Sequence, residues 1–154
     1  MSGAGHRPLA TGVARALLLL IALAYGAGAV VHGVSMVGLW GGPWVDTPLK
    51  WRVLDVVYLA LDLAVFPWLL LRLRFAIGAF FFAATTQILL YTVLRDWVLD
   101  VPDPFTPAVA VRQVQLDQLV LFHALSLALG AWALRHLGRR DRVYLDASKQ
   151  EPSS

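Results

Sequence analysis

The chain of 154 residues contains no cysteine. That excludes a disulfide-stapled secreted fold, thiol redox chemistry, thiolate-bound zinc, iron–sulfur clusters and covalently attached haem, all of which need cysteine sulfur. Disulfide-forming membrane oxidoreductases and quinone-epoxide reductases are excluded on the same ground. Glutamate is absent before Glu151, so the membrane-embedded glutamate on which small multidrug exporters rest is missing. Charge is scarce in general, 15% of residues against 58% hydrophobic. Such a chain is not disordered, and its mean hydropathy of +0.65 places it in a bilayer.

A helix that crosses the hydrocarbon needs about 20 mostly apolar residues. Four stretches meet this, at about 13–36, 53–71, 75–94 and 114–134. Backbone amides in lipid must be satisfied within the segment, so the expected fold is an all-α integral membrane protein, a bundle of four transmembrane helices forming a single domain. Only Arg72, Leu73 and Arg74 separate the second and third spans, which predicts a tight antiparallel hairpin. The stretches 37–52 and 95–113, with two and three prolines, read as ordered loops, and 143–154 as a flexible tail. Arg7 and Arg15 followed by ALLLLIALA also resemble a secretory signal, but the apolar stretch is longer than a usual signal core and is read as a span.

Orientation follows from lysine and arginine, which stay on the cytoplasmic side of span ends. Nine lie on the side of both termini and the Arg72–Arg74 turn, and four on the other. The expectation is a bacterial-type inner-membrane protein with both termini cytoplasmic (N-in/C-in). The two proline-containing loops then face outward, with Trp40, Trp44, Trp51 and Trp97 as an interfacial belt. The net charge of +3 is a topology signal. With no phosphate loop or aromatic-interleaved basic patch, no nucleic-acid partner is expected; the partners are the lipid bilayer and other membrane subunits.

A polar side chain at mid-membrane costs roughly 2.5 to 3.5 kcal/mol on insertion scales, so each calls for a partner or a function. Asp55, Tyr58 and Asp62 fall at i, i+3 and i+7, on one stripe of the second span. Tyr25, Gly28, His32 and Ser35 form a comparable stripe on the first, beside a small-residue face of Ala22, Gly26, Ala29 and Gly33. Gln87 with Thr85 and Thr86 in the third span, and His123 beside Ala124, Ala128 and Ala131 in the fourth, complete the set. Asp62 and His123 both fall near the midplane, which predicts that they pair across the bundle and fix helix register, with Gln87 and the threonines satisfying neighbours. Alternatively, Asp55, Tyr58, Asp62, Gln87 and His123 form a column that relays protons or binds a polar ligand. A third possibility gives His32 and His123 as the two axial ligands of one haem b, although helix rise separates them by roughly 10 Å or more. Four-helix di-haem cytochromes need more intramembrane histidines than these. No metal site and no catalytic constellation is expected.

In hydropathy and length the chain is similar to DoxX-like small membrane proteins, with an arginine opening the first span and glycines in its outer half, a resemblance of shape that transfers no site residues. The expectation for function is therefore a small accessory or scaffold subunit of a larger membrane complex, since there is little soluble mass for chemistry. The alternatives are a small transporter or proton-coupled protein built on Asp62 and His123, and a haem-binding membrane anchor.

Overall fold

The computed structural model describes residues 7–39, 43–100 and 109–148, and these are helical with no strand. The elements are α1 (Arg7–Met36), α2 (Leu49–Val65), α3 (Arg74–Thr92), a short α4 (Arg95–Leu99) and a long α5 (Val109–Ser148), with a single 3₁₀ turn at Trp44–Asp46 before α2. Helices α1, α2, α3 and α5 pack in a ring, each against two neighbours, and α4 lies against α3 and α5. Three stretches are long and apolar enough to cross a membrane, Ala10–Met36, Arg74–Thr92 and Val111–Gly138. Their lipid-type surfaces include Leu20, Val30, Phe82, Leu121 and Leu125, all exposed on the isolated chain.

The expected second span, 53–71, is corrected at both ends. α2 starts a turn earlier, at Leu49, because Pro48 supplies an N-cap in extended conformation and accepts from the Trp51 amide at 2.9 Å. It stops at Val65 because Pro67 follows Phe66. A residue before proline is pushed out of the α region by the ring, and Phe66 sits at φ −62°, ψ 148°. The 17 residues of α2 rise roughly 25 Å, short of the roughly 30 Å of hydrocarbon. The apolar run after Pro67 is thus a folded strap rather than helix, and the connection to α3 is longer than the expected turn. The Leu69 amide bonds to Val65 O and the Arg72 amide to Leu69 O. Arg72 takes a positive φ of 54° to turn the chain into α3. Leu69 returns into the core, fully buried beside Val65.

α1 ends in a Schellman closure. Gly38, at φ 70°, takes the left-handed position; its amide bonds to Ser35 O, and the Leu39 amide bonds to Val34 O. At the other end of the chain, α5 continues to Ser148, so the expected tail is helical over 143–148; residues 149–154 lie outside the described residues. The stretch 95–113, expected as loop, contains α4 and the first turn of α5, while 101–108 also lie outside.

Two apolar clusters hold the ring together. At the arginine-rich end Leu18, Ile21, Tyr25, Val65, Leu69, Phe80, Ala83, Ala133 and Leu137 pack as one core. At the loop end Tyr58, Leu90, Val98 and Leu116 form a smaller one with Trp51 against it. On α5 the inward face is Leu116, His123, Ser126, Gly130, Ala133 and Leu137. Ala124, Ala128 and Ala131, expected to serve close helix approach, are exposed instead, because that face is turned about a third of a circle from His123.

Candidate functional site

The two polar stripes face each other across the α1–α2 seam. The 3.6-residue period sets Tyr25, Gly28, His32 and Ser35 along one side of α1 and Asp55, Tyr58 and Asp62 along one side of α2. His32 Nδ1 lies 2.9 Å from Asp55 Oδ1, and His32 Nε2 lies 4.0 Å from Asp62 Oδ2. One imidazole therefore stands between two carboxylates that are seven residues, about two turns, apart on the same helix. Tyr58, between them in sequence, stacks on the His32 ring at 6.2 Å between centroids and 25° between planes. Its hydroxyl interacts with the Thr86 side chain of α3. Thr86 in turn donates to Phe82 O at 2.8 Å and Ala83 O at 3.0 Å.

Asp55 is the better bonded of the two carboxylates. Besides His32 it accepts from Ser35 Oγ at 3.0 Å and from Trp44 Nε1 at 3.2 Å. The Trp44 indole, carried by the 3₁₀ turn, thus covers the site from the loop end. Asp62 is more deeply enclosed, only 3% exposed. It owes that enclosure to Gly28: a Cβ at this position would collide with Asp62 Oδ2, so only glycine lets the carboxylate approach the α1 backbone. Two residues further toward the arginine end, Gly26 plays the same part for the Phe66 ring, whose Cδ2 would lie 2.9 Å from an added Cβ.

The expected pairing of Asp62 with His123 is replaced by Asp62 with His32. Helix spacing places a residue on a face but does not say which helices adjoin, and α1, not α5, is the neighbour that meets the polar stripe of α2. His123 is buried on α5 against Phe122 and edge-on to Tyr25, with ring centroids 6.1 Å apart. His123 Nδ1 and the Tyr25 hydroxyl are both buried without a hydrogen-bond partner among the described residues. Tyr25 lies close enough to Asp62 for the carboxylate charge to act on it. Tyr25 therefore stands between the Asp62 site and His123, a position not foreseen as functional although its place on the α1 stripe was visible. Gln87 is buried on α3, and Ser126 on α5, one turn from His123.

The haem arrangement does not fit these residues. Both ring nitrogens of His32 face carboxylates, so neither is available to iron without breaking the contact to Asp55 or Asp62. Among the described residues no three histidine or acidic side chains converge as a metal site. What the cluster can do is exchange protons: an imidazole that takes a proton at one nitrogen and yields one from the other connects two carboxyl groups without itself changing position.

The other foreseen residues divide. Trp40 lies outside the described residues. Trp44 is turned to Asp55, and Trp51 packs against the loop-end cluster with its Nε1 buried and without a hydrogen-bond partner among the described residues. Only Trp97 is largely exposed, under Lys50 Nζ at 5.2 Å. Lys50 also donates to the carbonyls of Trp97 and Asp100, which ties α2 to the end of α4. Asp117 faces away from the bundle interior and pairs with Arg95 at 2.6 Å, and that hydrogen bond holds the Arg95 guanidinium above its ordinary pKa. Arg95 also donates to Gln113 O at 3.2 Å, and Arg112 donates to Leu99 O at 3.0 Å, so α4 is clasped to α5 from both sides. Compared with family models, curated proteins and solved structures, the chain matches none.

Proposed function

We propose that the chain is a four-span inner-membrane protein, both termini cytoplasmic, whose α1–α2 seam takes up and releases protons from the outer side. The observation that carries this reading is His32 held between Asp55 and Asp62. A proton reaching Asp55 passes to Nδ1 of His32, and the proton on Nε2 passes to Asp62; one bond to hydrogen forms for each that breaks, and the reverse sequence empties the site. α2 and the Phe66–Leu73 strap together complete the fourth crossing. Irregular backbone at that depth has to satisfy its own amides, and those of Phe66, Trp68, Leu69, Arg72 and Leu73 bond to carbonyls within 62–69. Toward the arginine end the described core is apolar apart from the Tyr25 hydroxyl, so the way to the outer side runs past the Trp44 indole that caps the site. Such a site suits a small proton-coupled membrane protein or transporter rather than an enzyme.

The test is infrared difference spectroscopy of the full chain in vesicles as the bulk pH is lowered. A protonated buried carboxyl band is expected to grow in, and Asp62→Asn is expected to remove it while helicity and insertion stay unchanged. An unchanged band in that variant rejects the reading; equal loss of band and folded protein assigns Asp62 to helix register. Topology is tested with single cysteines, for which this cysteine-free chain is suited. Thr47→Cys is expected to react with an impermeant thiol reagent from the outer face and Ser2→Cys to stay protected.

A second reading, an accessory or scaffold subunit of a larger membrane complex, is favoured by Gly12 and Gly78. Both are exposed, and an added Cβ at either would meet nothing, so the outer faces of α1 and α3 keep gaps where another helix can come close. Purification in mild detergent through a C-terminal tag tests it. Stable co-elution with other membrane subunits supports a scaffold role, and a particle of this chain alone rejects it.

A further inference from the structure

Beside Trp44, on the side away from Asp55, a groove of about 280 Å³ runs down α2, lined by Trp44, Leu49, Arg52, Val53, Val56 and Val57. We propose that this groove binds an anionic phospholipid, with the headgroup phosphate on the Arg52 guanidinium and one acyl chain along the leucine and valines. The site lies outside the proton-exchange cluster and rests on that reading only in placing α2 against lipid.

The charge argument comes first. Arg52 has no carboxylate or hydrogen-bonding side-chain partner among the described residues, and its Nε is buried and unsatisfied. Its only described side-chain contact of that kind is stacking, the guanidinium carbon lying 5.8 Å from the centre of the Trp44 ring. Trp44 is itself fixed through its Nε1 bond to Asp55, so the platform under Arg52 is rigid. A guanidinium presents forked N–H donors matched to two oxygens of a phosphate and is more weakly hydrated than an ammonium, which suits it to an interfacial phosphate. Of the two carboxylates on α2, Asp55 is committed to His32, Ser35 and Trp44 and Asp62 is buried, so neither pairs with Arg52 or would receive a choline ammonium.

The shape argument agrees. Leu49, Val53, Val56 and Val57 occupy i, i+4, i+7 and i+8, one stripe of the helix, and all are exposed. From Leu49 to Val57 the helix rises about 12 Å, most of the roughly 15 Å of one leaflet's hydrocarbon. Arg52 stands at the Trp44 end of that stripe, where an interfacial tryptophan and a headgroup are at the same level. A cation at the interface above an apolar channel one leaflet deep is complementary to a phospholipid standing in its own leaflet.

Native mass spectrometry of the full chain in detergent tests this, with phosphatidylglycerol or phosphatidylcholine added at equal concentration. The wild type is expected to retain at least one phosphatidylglycerol that phosphatidylcholine does not replace. Arg52→Gln is expected to weaken that retention at least fivefold, and Val56→Trp, which fills the groove with Arg52 intact, to do the same. Leu121→Trp, exposed on α5 and outside the groove, is expected to leave it unchanged. Equal retention of both lipids, or wild-type retention in Arg52→Gln and Val56→Trp, overturns the proposal. Val57→Cys carrying an environment-sensitive fluorophore separates the two levels of failure. A water-exposed probe in phosphatidylglycerol vesicles removes α2 from the lipid and the site with it. A lipid-exposed probe without lipid preference removes the site alone.

Discussion

At the loop end α1 meets α2 through an imidazole, a hydroxyl and two carboxylates, whereas at the arginine-rich end α1 meets α5, with the Phe80 ring of α3 reaching in between, through leucine, isoleucine, alanine and aromatic rings. Both seams depend on a glycine. At Gly28 the missing side chain makes room for the Asp62 carboxylate; at Gly130 it makes room for Phe80, whose ring atoms would lie 2.8 Å from a Cβ. In lipid, apolar side chains gain little from leaving one hydrocarbon surface for another, so close packing and polar contacts must hold helices together. The two ends of this bundle divide those means between them. The polar end chooses the partner helix, and the apolar end closes the packing.

The largest expected effect breaks the polar end. His32→Leu leaves Asp55 and Asp62 facing an apolar side chain, and unfolding in detergent followed by circular dichroism is expected to show a loss on the order of 3–5 kcal/mol. Asp62→Asn added to His32→Leu is expected to recover part of that loss, because one buried charge is then gone. The matched pair Gly28→Ala and Gly130→Ala comes next, each costing about 1–3 kcal/mol from overpacking. The two are told apart by rescue. Phe80→Leu is expected to restore Gly130→Ala and to leave Gly28→Ala unchanged; rescue of both would mean that the seams are not independent.

A smaller effect is expected at the cover of the site. Trp44→Phe removes one hydrogen bond to Asp55, and the same unfolding measurement is expected to fall by about 0.5–1.5 kcal/mol. Arg95→Gln, which breaks a solvent-exposed pair, is expected to leave the unfolding midpoint unchanged at moderate salt. A midpoint drop as large as that of Trp44→Phe would make the α4 clasp part of the folded core.

Much of the site was legible from spacing. Asp55, Tyr58 and Asp62 on one helix, and Tyr25, Gly28, His32 and Ser35 on another, read as two polar stripes that cannot face lipid, and they are the stripes that meet. The pairing was not legible, because depth along a span matched Asp62 to His123 as well as to any other group. The early end of α2 had its signal in Pro67, outweighed by the apolar run PWLLL, which suits a strap with one buried leucine as well as a helix. Hydropathy counts burial, and it does not distinguish a helix from a chain that folds back into the core.

Composition and periodicity alone determined that this chain is helical, that it is apolar enough to enter a bilayer, and which side of α1 and of α2 is polar. These follow from local rules, the period of the helix and the cost of bare amides in lipid. Tertiary structure alone decided that α2 lies against α1, that His32 takes both carboxylates and that His123 is left with Tyr25. Those outcomes depend on which surfaces can approach, and the approach is set at Gly28 and Gly130 by the volume of side chains on other helices.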